Sequence, residues 1–318
     1  MQLMRDDHGA TALEEILADI KSDRVKKVIM DCDAYNDIDD QYAIAFALAS
    51  DKIDVLSINA TLFNNYRCNG YEDGMRRSHA EIVKILKLLD REDVPVYEGC
   101  IRPLNEDDGD DGWTDSPAVQ NIINTVKNSD EMIYIIATGA ATNVACALRA
   151  DKSIWDNLCI LWLGSNTFDN IGCSEFNVGQ DPIACRYMTN CGVNMMLVPC
   201  VGPNETGAQV LIIDQDNIKN IKGDNDVARF FREDLPELSY PGESVWFHHL
   251  WDVAVPAILN RPEAFDLSIV MAGRMRGDDI WVMEPNRHNI LYMRKIQKEV
   301  AMGDYFDMMN KLVKEKNV

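Results

Sequence analysis

The sequence has few basic residues and no long apolar run. Its 318 residues include 31 lysines and arginines against 52 aspartates and glutamates, so the formal net charge is −21. An acidic surface repels phosphate backbones and anionic lipids, which argues against nucleic-acid and membrane partners but not against an uncharged small molecule. No apolar stretch reaches the roughly 18 residues that a membrane helix needs. The first residues also lack the basic stretch and apolar run of a signal peptide.

The cysteines lack any CxxC spacing. Nine cysteines are scattered along the chain, an odd number, so neither a zinc knuckle nor a thioredoxin-like motif is indicated. Reduced thiols are the simplest interpretation, and they predict a cytoplasmic protein.

Short apolar runs alternate with longer amphipathic segments. Runs that are continuously apolar are typical of strands buried on both faces of a parallel sheet. We therefore predict a single α/β domain over residues 1–318, with a central, mostly parallel sheet flanked by helices. Its core is expected at about 25–300, with 1–24 as an N-terminal extension. The predicted strands are 28–30, 55–60, 94–97, 132–137, 158–163 and 194–198, and the main predicted helices are 39–49, 74–89, 142–149 and the segment from about 297.

An aspartate cluster follows the first predicted strand. The segment 31–40 reads DCDAYNDIDD and holds five carboxylates. Asp39 and Asp40 begin the next predicted helix, where the helix dipole favours negative charge, but helix capping does not account for the whole set. So many like charges need a cation. Oxygen ligands without a nearby histidine or cysteine pair favour calcium or magnesium over zinc.

A DxD pair after an apolar strand is also typical of haloacid-dehalogenase-like phosphatases. The segment 223–226 (GDND) faintly resembles their late acidic motif. Against this alternative, Tyr35 stands where those enzymes usually have threonine or valine. The Asp39-Asp40 pair also follows too closely, and no intermediate serine, threonine or lysine motif is found.

The chain resembles the nucleoside hydrolase family more closely. That family's signature is a strand leading into DxDxxxDD and then a helix of small and apolar residues, and the counterpart here is DCDAYNDIDDQYAIAFAL. The acidic pair lies two residues later than in the commonest form, and Ala34-Tyr35 replaces the usual Pro-Gly. The resemblance implies a Rossmann-related α/β fold.

Further matching segments occur in the family's order. They are Ile53 to Asn64, VPVYEG with RPL at 94–104, ATGAATN at 137–143, EFN with DP at 175–182, and WDVAVPA at 251–257. Each fragment alone is weak evidence, whereas the ordered set is specific.

The resemblance implies the following site. Calcium would be bound by Asp33, Asp40, the Thr138 carbonyl and Asp252, and Asp33 would take the proton of the attacking water. The sugar would be bound by Asp39, Asn64, Glu175 and Asn177, while Asp31 would order the metal ligands from behind.

Leaving-group assistance departs from the inosine-uridine type, which has histidine immediately before the last aspartate. Trp251 occupies that position, as in a purine-preferring branch, where tryptophan stacks on the base. Three further residues are considered as leaving-group contacts: Trp113, in the acidic loop at 105–115, His248 and His249.

The expected activity is therefore calcium-dependent hydrolysis of the N-glycosidic bond of ribonucleosides, with purine bases favoured. Relatives are usually dimers or tetramers, so a homodimer or homotetramer active in nucleoside salvage is expected. Besides the phosphatase, a second alternative stays open. The same metal site would then serve a relative that binds or cleaves another ribosylated compound.

Overall fold

A large twisted sheet forms the centre of the protein. The computed structural model describes residues 10–108, 115–170, 172–277 and 280–315. In chain order, the strands of these residues are β1 (Lys26–Cys32), β2 (Ile53–Ala60), β3 (Val96–Tyr97), β4 (Ile133–Ala137), β5 (Leu158–Leu163), β6 (Met195–Val198), β7 (Ile212–Asp214), β8 (Phe247–His249), β9 (Phe265–Met271), β10 (Arg274–Met275), β11 (Trp281–Val282) and β12 (Asn289–Ile296).

Eight of these strands pair in the order β3-β2-β1-β4-β5-β6-β12-β9. All neighbours are parallel except β12 and β9, which pair antiparallel at one edge. The first six strands follow the doubly wound order 3-2-1-4-5-6, in which the direction of winding reverses between β1 and β4. Ligands bind beyond the carboxyl ends of the strands at such a reversal, so the fold itself points to the residues after β1 and β4.

The central strands are those that the apolar runs predict. Every residue of β4, β5 and β6 is buried, and only Lys27 of β1 is partly exposed. A strand covered on both faces cannot alternate between polar and apolar residues, which is why these segments are continuously apolar. The predicted α/β class with a mostly parallel sheet is confirmed.

Helices connect and flank the strands. They are α1 (Ala10–Ile20), α2 (Asp39–Ala49), α3 (Tyr71–Leu88), α4 (Pro117–Lys127), α5 (Thr142–Ala150), α6 (Phe176–Gln180), α7 (Pro182–Asn190), α8 (Asp226–Arg229), α9 (Leu235–Ser239), α10 (Ala254–Asn260) and α11 (Lys298–Glu315). Helix α2 contacts α10 and α11, while α5 contacts α4 and α7. Nearly all of α2 is buried, since its alanines let neighbouring elements approach closely.

The segment from 203 to 250 lies between β6 and α10. It contains the short helices α8 and α9, which a single π-helical turn at Phe230–Asp234 joins, and the antiparallel pair β7–β8. We predict helical or loop insertions here from the sequence. The structure adds the two short strands, and β8 carries both His248 and His249.

Helix α1 lies in the segment that we predict as an N-terminal extension. Its Leu13, Ile16 and Ile20 are buried in the same core as the sheet, and the helix contacts β12 and β9. None of the nine cysteines forms a disulfide, as the sequence analysis expects. Within the described ranges, no helix is both long and apolar enough to cross a membrane.

Candidate active site

Acidic side chains converge beyond the carboxyl ends of β1 and β4. Asp33 follows β1, Asp39 and Asp40 begin α2, and Asp252 comes shortly before α10; all four carboxylates are buried. Thr138 follows β4, and its backbone N–H donates to the carbonyl of Asp31 at 2.9 Å. The structure thus brings together the four residues predicted to bind calcium.

A tight turn joins β1 to α2. The N–H of Asn36 donates to the Asp33 carbonyl at 2.9 Å, and Tyr35 has a φ of 82°. A positive φ at the third residue of a turn normally selects glycine, the residue that the family has here. Tyr35 therefore adopts a backbone conformation that glycine adopts without strain. The guanidinium groups of Arg67 and Arg77 lie 5.9 and 5.8 Å from its ring centre.

Crowding of the carboxylates perturbs their ionisation. Burial, followed by the charge of Asp40, raises the pKa of Asp33 well above its ordinary value. Burial and neighbouring carboxylates raise the pKa values of Asp39 and Asp252 in the same way. Burial raises the pKa of Asp40 to about 6, with hydrogen bonds from Thr138 among the opposing effects. The Asp40 carboxyl lies within hydrogen-bonding reach of Asp33 and Asp252.

Thr138 links this cluster to the strands. Its hydroxyl donates to Asp40 Oδ1 at 2.9 Å, and its carbonyl accepts from Asn177 Nδ2 at 2.9 Å. The next residue is Gly139, where a Cβ atom would lie 2.3 Å from Thr61 Oγ1 and 3.1 Å from the Cβ of Asp33. Only glycine therefore lets this turn approach Asp33 so closely.

A cavity of about 270 Å³ opens above the cluster. This volume lies near the lower end of the range for small-molecule pockets, ~300–1,000 Å³. Its lining combines acidic side chains with apolar ones. The lining residues are Asp33, Asn36, Asp37, Asp39, Thr138, Leu163, Glu175, Phe176, Asn177, Cys200, Val201, Trp251 and Asp252.

Glu175 and Asn177 form one wall of the cavity. Glu175 caps α6: its Oε1 accepts from the N–H groups of Ser165 and Val178, both at 2.8 Å, and its Oε2 accepts from the N–H of Asn177 at 2.7 Å. The amide of Asn177 donates to the carbonyls of Thr138 and Leu163. Both side chains are therefore held in fixed orientations at the cavity, where we predict sugar contacts.

Asp31 lies behind the cavity and does not line it. Its Oδ1 accepts from Asn143 Nδ2 at 3.0 Å, and the same amide donates to the carbonyl of Ala60 at 3.1 Å. Burial raises the pKa of Asp31 to about 7. Its predicted role of ordering the metal ligands from behind stays a prediction.

Asn64 is a predicted sugar ligand that does not line the cavity. Asn64 is exposed in the loop after β2, where its backbone N–H donates to Gln180 Oε1 at 2.8 Å. It is not among the cavity-lining residues, so its predicted contact with the ribose stays a prediction. Trp113 lies outside the described residues.

Trp251 lines the cavity, as predicted for a base-stacking residue, but His248 and His249 do not. The ring of His249 packs against Trp251, with 4.5 Å between ring centres, and its Nδ1 lies 2.7 Å from the carbonyl of Gln209. Burial lowers the pKa values of both histidines. Their contact with a leaving group remains a prediction.

The sequence analysis finds no histidine near the aspartate cluster, but the fold brings one there. His248 Nε2 lies 3.5 Å from Asp37 Oδ2, and together with Asp39 these residues place three potential ligand atoms within 4.8 Å of one another. His248 is more than two hundred residues from Asp39 in the chain. No local sequence pattern could reveal a pairing at that separation.

Other motif residues hold the scaffold together. Asp181, of the DP pair, is fully buried, and its Oδ2 accepts from the N–H of Leu104 at 2.9 Å and from the hydroxyl of Thr142 at 2.7 Å. Its Oδ1 accepts from the N–H of Ala184 at 2.9 Å. Asp181 thus ties the RPL loop to α5 and α7, and it does not line the cavity.

Comparison with known proteins gives consistent results. The model of the inosine-uridine preferring nucleoside hydrolase family matches residues 28–303. The pyrimidine-specific ribonucleoside hydrolase RihA of Escherichia coli O7:K1 is 26% identical over 265 residues, which cover 75% of this chain and 80% of that protein.

Solved structures show the same fold. A purine-preferring ribonucleoside hydrolase from Gardnerella vaginalis superposes with a TM-score of 0.68 at 20% identity, covering 91% of this chain and all of that chain. An inosine-guanosine nucleoside hydrolase gives a TM-score of 0.69 at 18% identity, covering 91% of this chain and 99% of that chain.

Proposed function

Because the chain belongs to the inosine-uridine preferring nucleoside hydrolase family, we propose that it hydrolyses the N-glycosidic bond of ribonucleosides in a calcium-dependent reaction. The products would be ribose and the free base. The observation that carries this proposal is the group of four buried carboxylates at the cavity, beyond the point where the sheet reverses its winding.

The donor set fits a calcium ion. Asp33, Asp40, Asp252 and the Thr138 carbonyl offer only oxygen atoms, which Ca²⁺ prefers. Asp33 Oδ2 is buried and has no hydrogen-bond partner among the described residues. A divalent cation would satisfy this atom and offset the repulsion that raises the carboxylate pKa values. When bound, calcium would lower the pKa of a coordinated water and polarise the sugar hydroxyls.

Asp33 is the proposed general base. Its carboxylate lines the cavity and would accept a proton from the attacking water. Glu175 uses three acceptor sites on backbone N–H groups, and a carboxylate has about four, so Oε2 retains capacity for a sugar hydroxyl. Asp39 and Asn177 would hold the other hydroxyls and orient the ribose. Binding energy would thereby be used to position the anomeric carbon.

We propose a preference for purine bases. Trp251 lines the cavity together with Phe176, Leu163 and Val201, which gives the base an apolar environment. Stacking of a base on an aromatic ring contributes about 1–3 kcal/mol, and the larger purine gains more contact. The solved purine-preferring relative supports this choice, whereas the relatives from Escherichia coli are pyrimidine-specific.

The family match leaves the phosphatase alternative without support. We further propose, from the resemblance alone, a homodimer or homotetramer that acts in cytoplasmic nucleoside salvage. Size-exclusion chromatography with light scattering tests the oligomeric state.

A nucleoside panel tests the activity. Reducing-sugar release is measured from inosine, adenosine, guanosine, uridine and cytidine, with calcium and after chelation. Calcium-dependent release is expected, with the purines fastest. Release confined to pyrimidines would reject the purine preference alone. Silence across the panel, with calcium bound, would favour the alternative that the site acts on another ribosylated compound.

A further inference from the structure

Three side chains, two of which line the cavity, bring their potential ligand atoms close together. They are Asp37, Asp39 and His248, whose ligand atoms all lie within 4.8 Å. Asp37 lies in the turn before α2, Asp39 is the first residue of α2, and His248 lies on β8.

His248 Nε2 faces the Asp37 carboxylate without a hydrogen bond of its own. Its side chain is only 7% exposed, and its Nε2 is a buried nitrogen without a hydrogen-bond partner among the residues described. A buried polar atom left unpaired is costly. Such an atom, aimed at two carboxylates, indicates a missing ligand.

The opposite nitrogen of the ring is already fixed. His248 Nδ1 lies 2.8 Å from the hydroxyl of Tyr240, and the Tyr240 ring stacks on Trp246, with 5.5 Å between centres and 12° between planes. Metal-binding histidines usually donate their second N–H to such a partner, which fixes the tautomer and leaves the other nitrogen free to coordinate. In the tautomer in which Nδ1–H donates to the Tyr240 hydroxyl, Nε2 carries no proton and can coordinate a cation.

The separation between His248 Nε2 and Asp37 Oδ2 suits a bridging ion better than a direct ion pair. Charged N–H···O hydrogen bonds are about 2.7–2.9 Å long, so the 3.5 Å between His248 Nε2 and Asp37 Oδ2 is too long for one. Two ligands of a tetrahedral Zn²⁺ at ~2.0–2.1 Å stand about 3.3–3.4 Å apart. The side chain of Asp37 is 40% exposed, so it is free to turn by the remaining fraction of an ångström.

We propose that Asp37, Asp39 and His248 form a second metal site, for a transition-metal dication such as Zn²⁺, beside the site proposed for calcium. An imidazole with two carboxylates favours such ions over calcium, which prefers oxygen alone. Three protein ligands leave a coordination position open toward the cavity, which Asp37 and Asp39 both line. The site goes beyond the proposed hydrolase activity and shares only Asp39 with the proposed sugar contacts.

Metal titration of the full-length protein tests the site. The protein is stripped of metal by chelation, dialysed, saturated with Ca²⁺, and titrated with Co²⁺ while its visible d–d absorption is recorded; Zn²⁺ is then titrated by calorimetry. The expected result is one Co²⁺ per chain in the presence of calcium, displaced by Zn²⁺. Loss of Co²⁺ binding on addition of calcium would place the ion in the other aspartate site and overturn the proposal.

Variants locate the ion. His248→Gln and Asp37→Asn should each weaken Zn²⁺ binding by more than about tenfold, and Tyr240→Phe by about tenfold through the lost support of the ring. His249→Gln is the matched control, since His249 is adjacent on β8 but bonds to the Gln209 carbonyl instead. It should bind Zn²⁺ normally.

Circular dichroism checks that each variant folds. If His248→Gln does not fold, Asp37→Asn, in a partly exposed turn, decides the question. Unchanged Zn²⁺ affinity in Asp37→Asn would refute the site. If no nucleoside of the panel is hydrolysed but Zn²⁺ binds normally, only the hydrolase proposal is rejected. If calcium-dependent turnover occurs but Zn²⁺ does not bind, only the proposed second metal site is rejected.

Discussion

Asp33 combines burial, an unpaired carboxylate oxygen and access to the cavity. As the proposed base, it should be indispensable: Asp33→Asn is expected to lower turnover by about 10²–10⁴-fold, the usual contribution of a positioned acid or base. Reducing-sugar release measures this. Circular dichroism should show an intact fold, because asparagine has nearly the same shape. Asp224→Asn, at a fully exposed carboxylate, is the control. Near-normal turnover in Asp33→Asn would remove this residue from the role of base.

Asp31 makes stability depend on pH in a predictable direction. Its folded pKa of about 7 lies above the ordinary value of 3.8, so the folded state binds this proton more tightly than the unfolded state. The contribution is stabilising below about pH 4 and is lost as the pH rises toward 7. Asp31→Asn removes it, so the variant should gain stability relative to the wild type over this window, by about 1.4 kcal/mol per pH unit at most.

Urea denaturation in the presence of a chelator, at several values between pH 4.5 and 7.5, measures the difference between the two proteins. Taking the difference cancels the opposite contribution of the histidines, whose pKa values burial lowers. Parallel curves for wild type and variant would mean that the carboxyl of Asp31 ionises normally.

The sequence predicted the positions of some site residues better than those of others. Asp33, Asp39, Asp40 and Asp252 meet as expected because the ends of adjacent strands and the start of a buried helix leave them little freedom. Asn64 does not reach the cavity, because its motif fixes the strand but not the path of the loop after it. The pairing of His248 with Asp37 was missed, since it depends on a distant insertion.

Among the elements, the turn between β1 and α2 has a strained backbone at Tyr35. Tyr35 has a φ of 82°, a conformation that costs a non-glycine residue about 1–2 kcal/mol. Tyr35→Gly and Tyr35→Ala both remove the ring and its contacts with Arg67 and Arg77, so comparing them isolates the backbone cost. The glycine variant should be the more stable by about 1 kcal/mol.

Thermal or urea unfolding of the two variants measures this difference. Gly179→Ala, in α6 with open space around the new Cβ atom, is the control and should not lose stability. An alanine variant as stable as the glycine variant would show that the turn changes conformation.

Elements buried on both faces were the easiest to predict. The strand at Leu158–Leu163 and the helix at Asp39–Ala49 have the predicted bounds. The antiparallel edge formed by β9 and β12 was not predicted. Much of β9 is only partly buried, so it lacks the continuous apolar run that identifies the inner strands, and no short turn joins it to β12.

At the scale of the whole molecule, we expect calcium binding to stabilise the folded protein. A ligand that binds only the folded state at a hundred times its Kd stabilises by about 2.7 kcal/mol. Calcium is therefore expected to raise the Tm of the wild type, and Asp252→Ala should reduce both this rise and the calorimetric affinity. Asp224→Ala should retain both. An unchanged calcium affinity in Asp252→Ala would exclude Asp252 from the site.

The chain order of these ligands has a consequence for synthesis on the ribosome. Asp33 and Asp40 emerge more than two hundred residues before Asp252, and α10 and α11, which cover α2, emerge after it. During most of translation, α2 therefore lacks the helices that bury it, and its aspartates remain in contact with water. The nascent chain is thus spared an uncompensated buried charge cluster, because the final quarter of the sequence supplies both the last proposed calcium ligand and the cover.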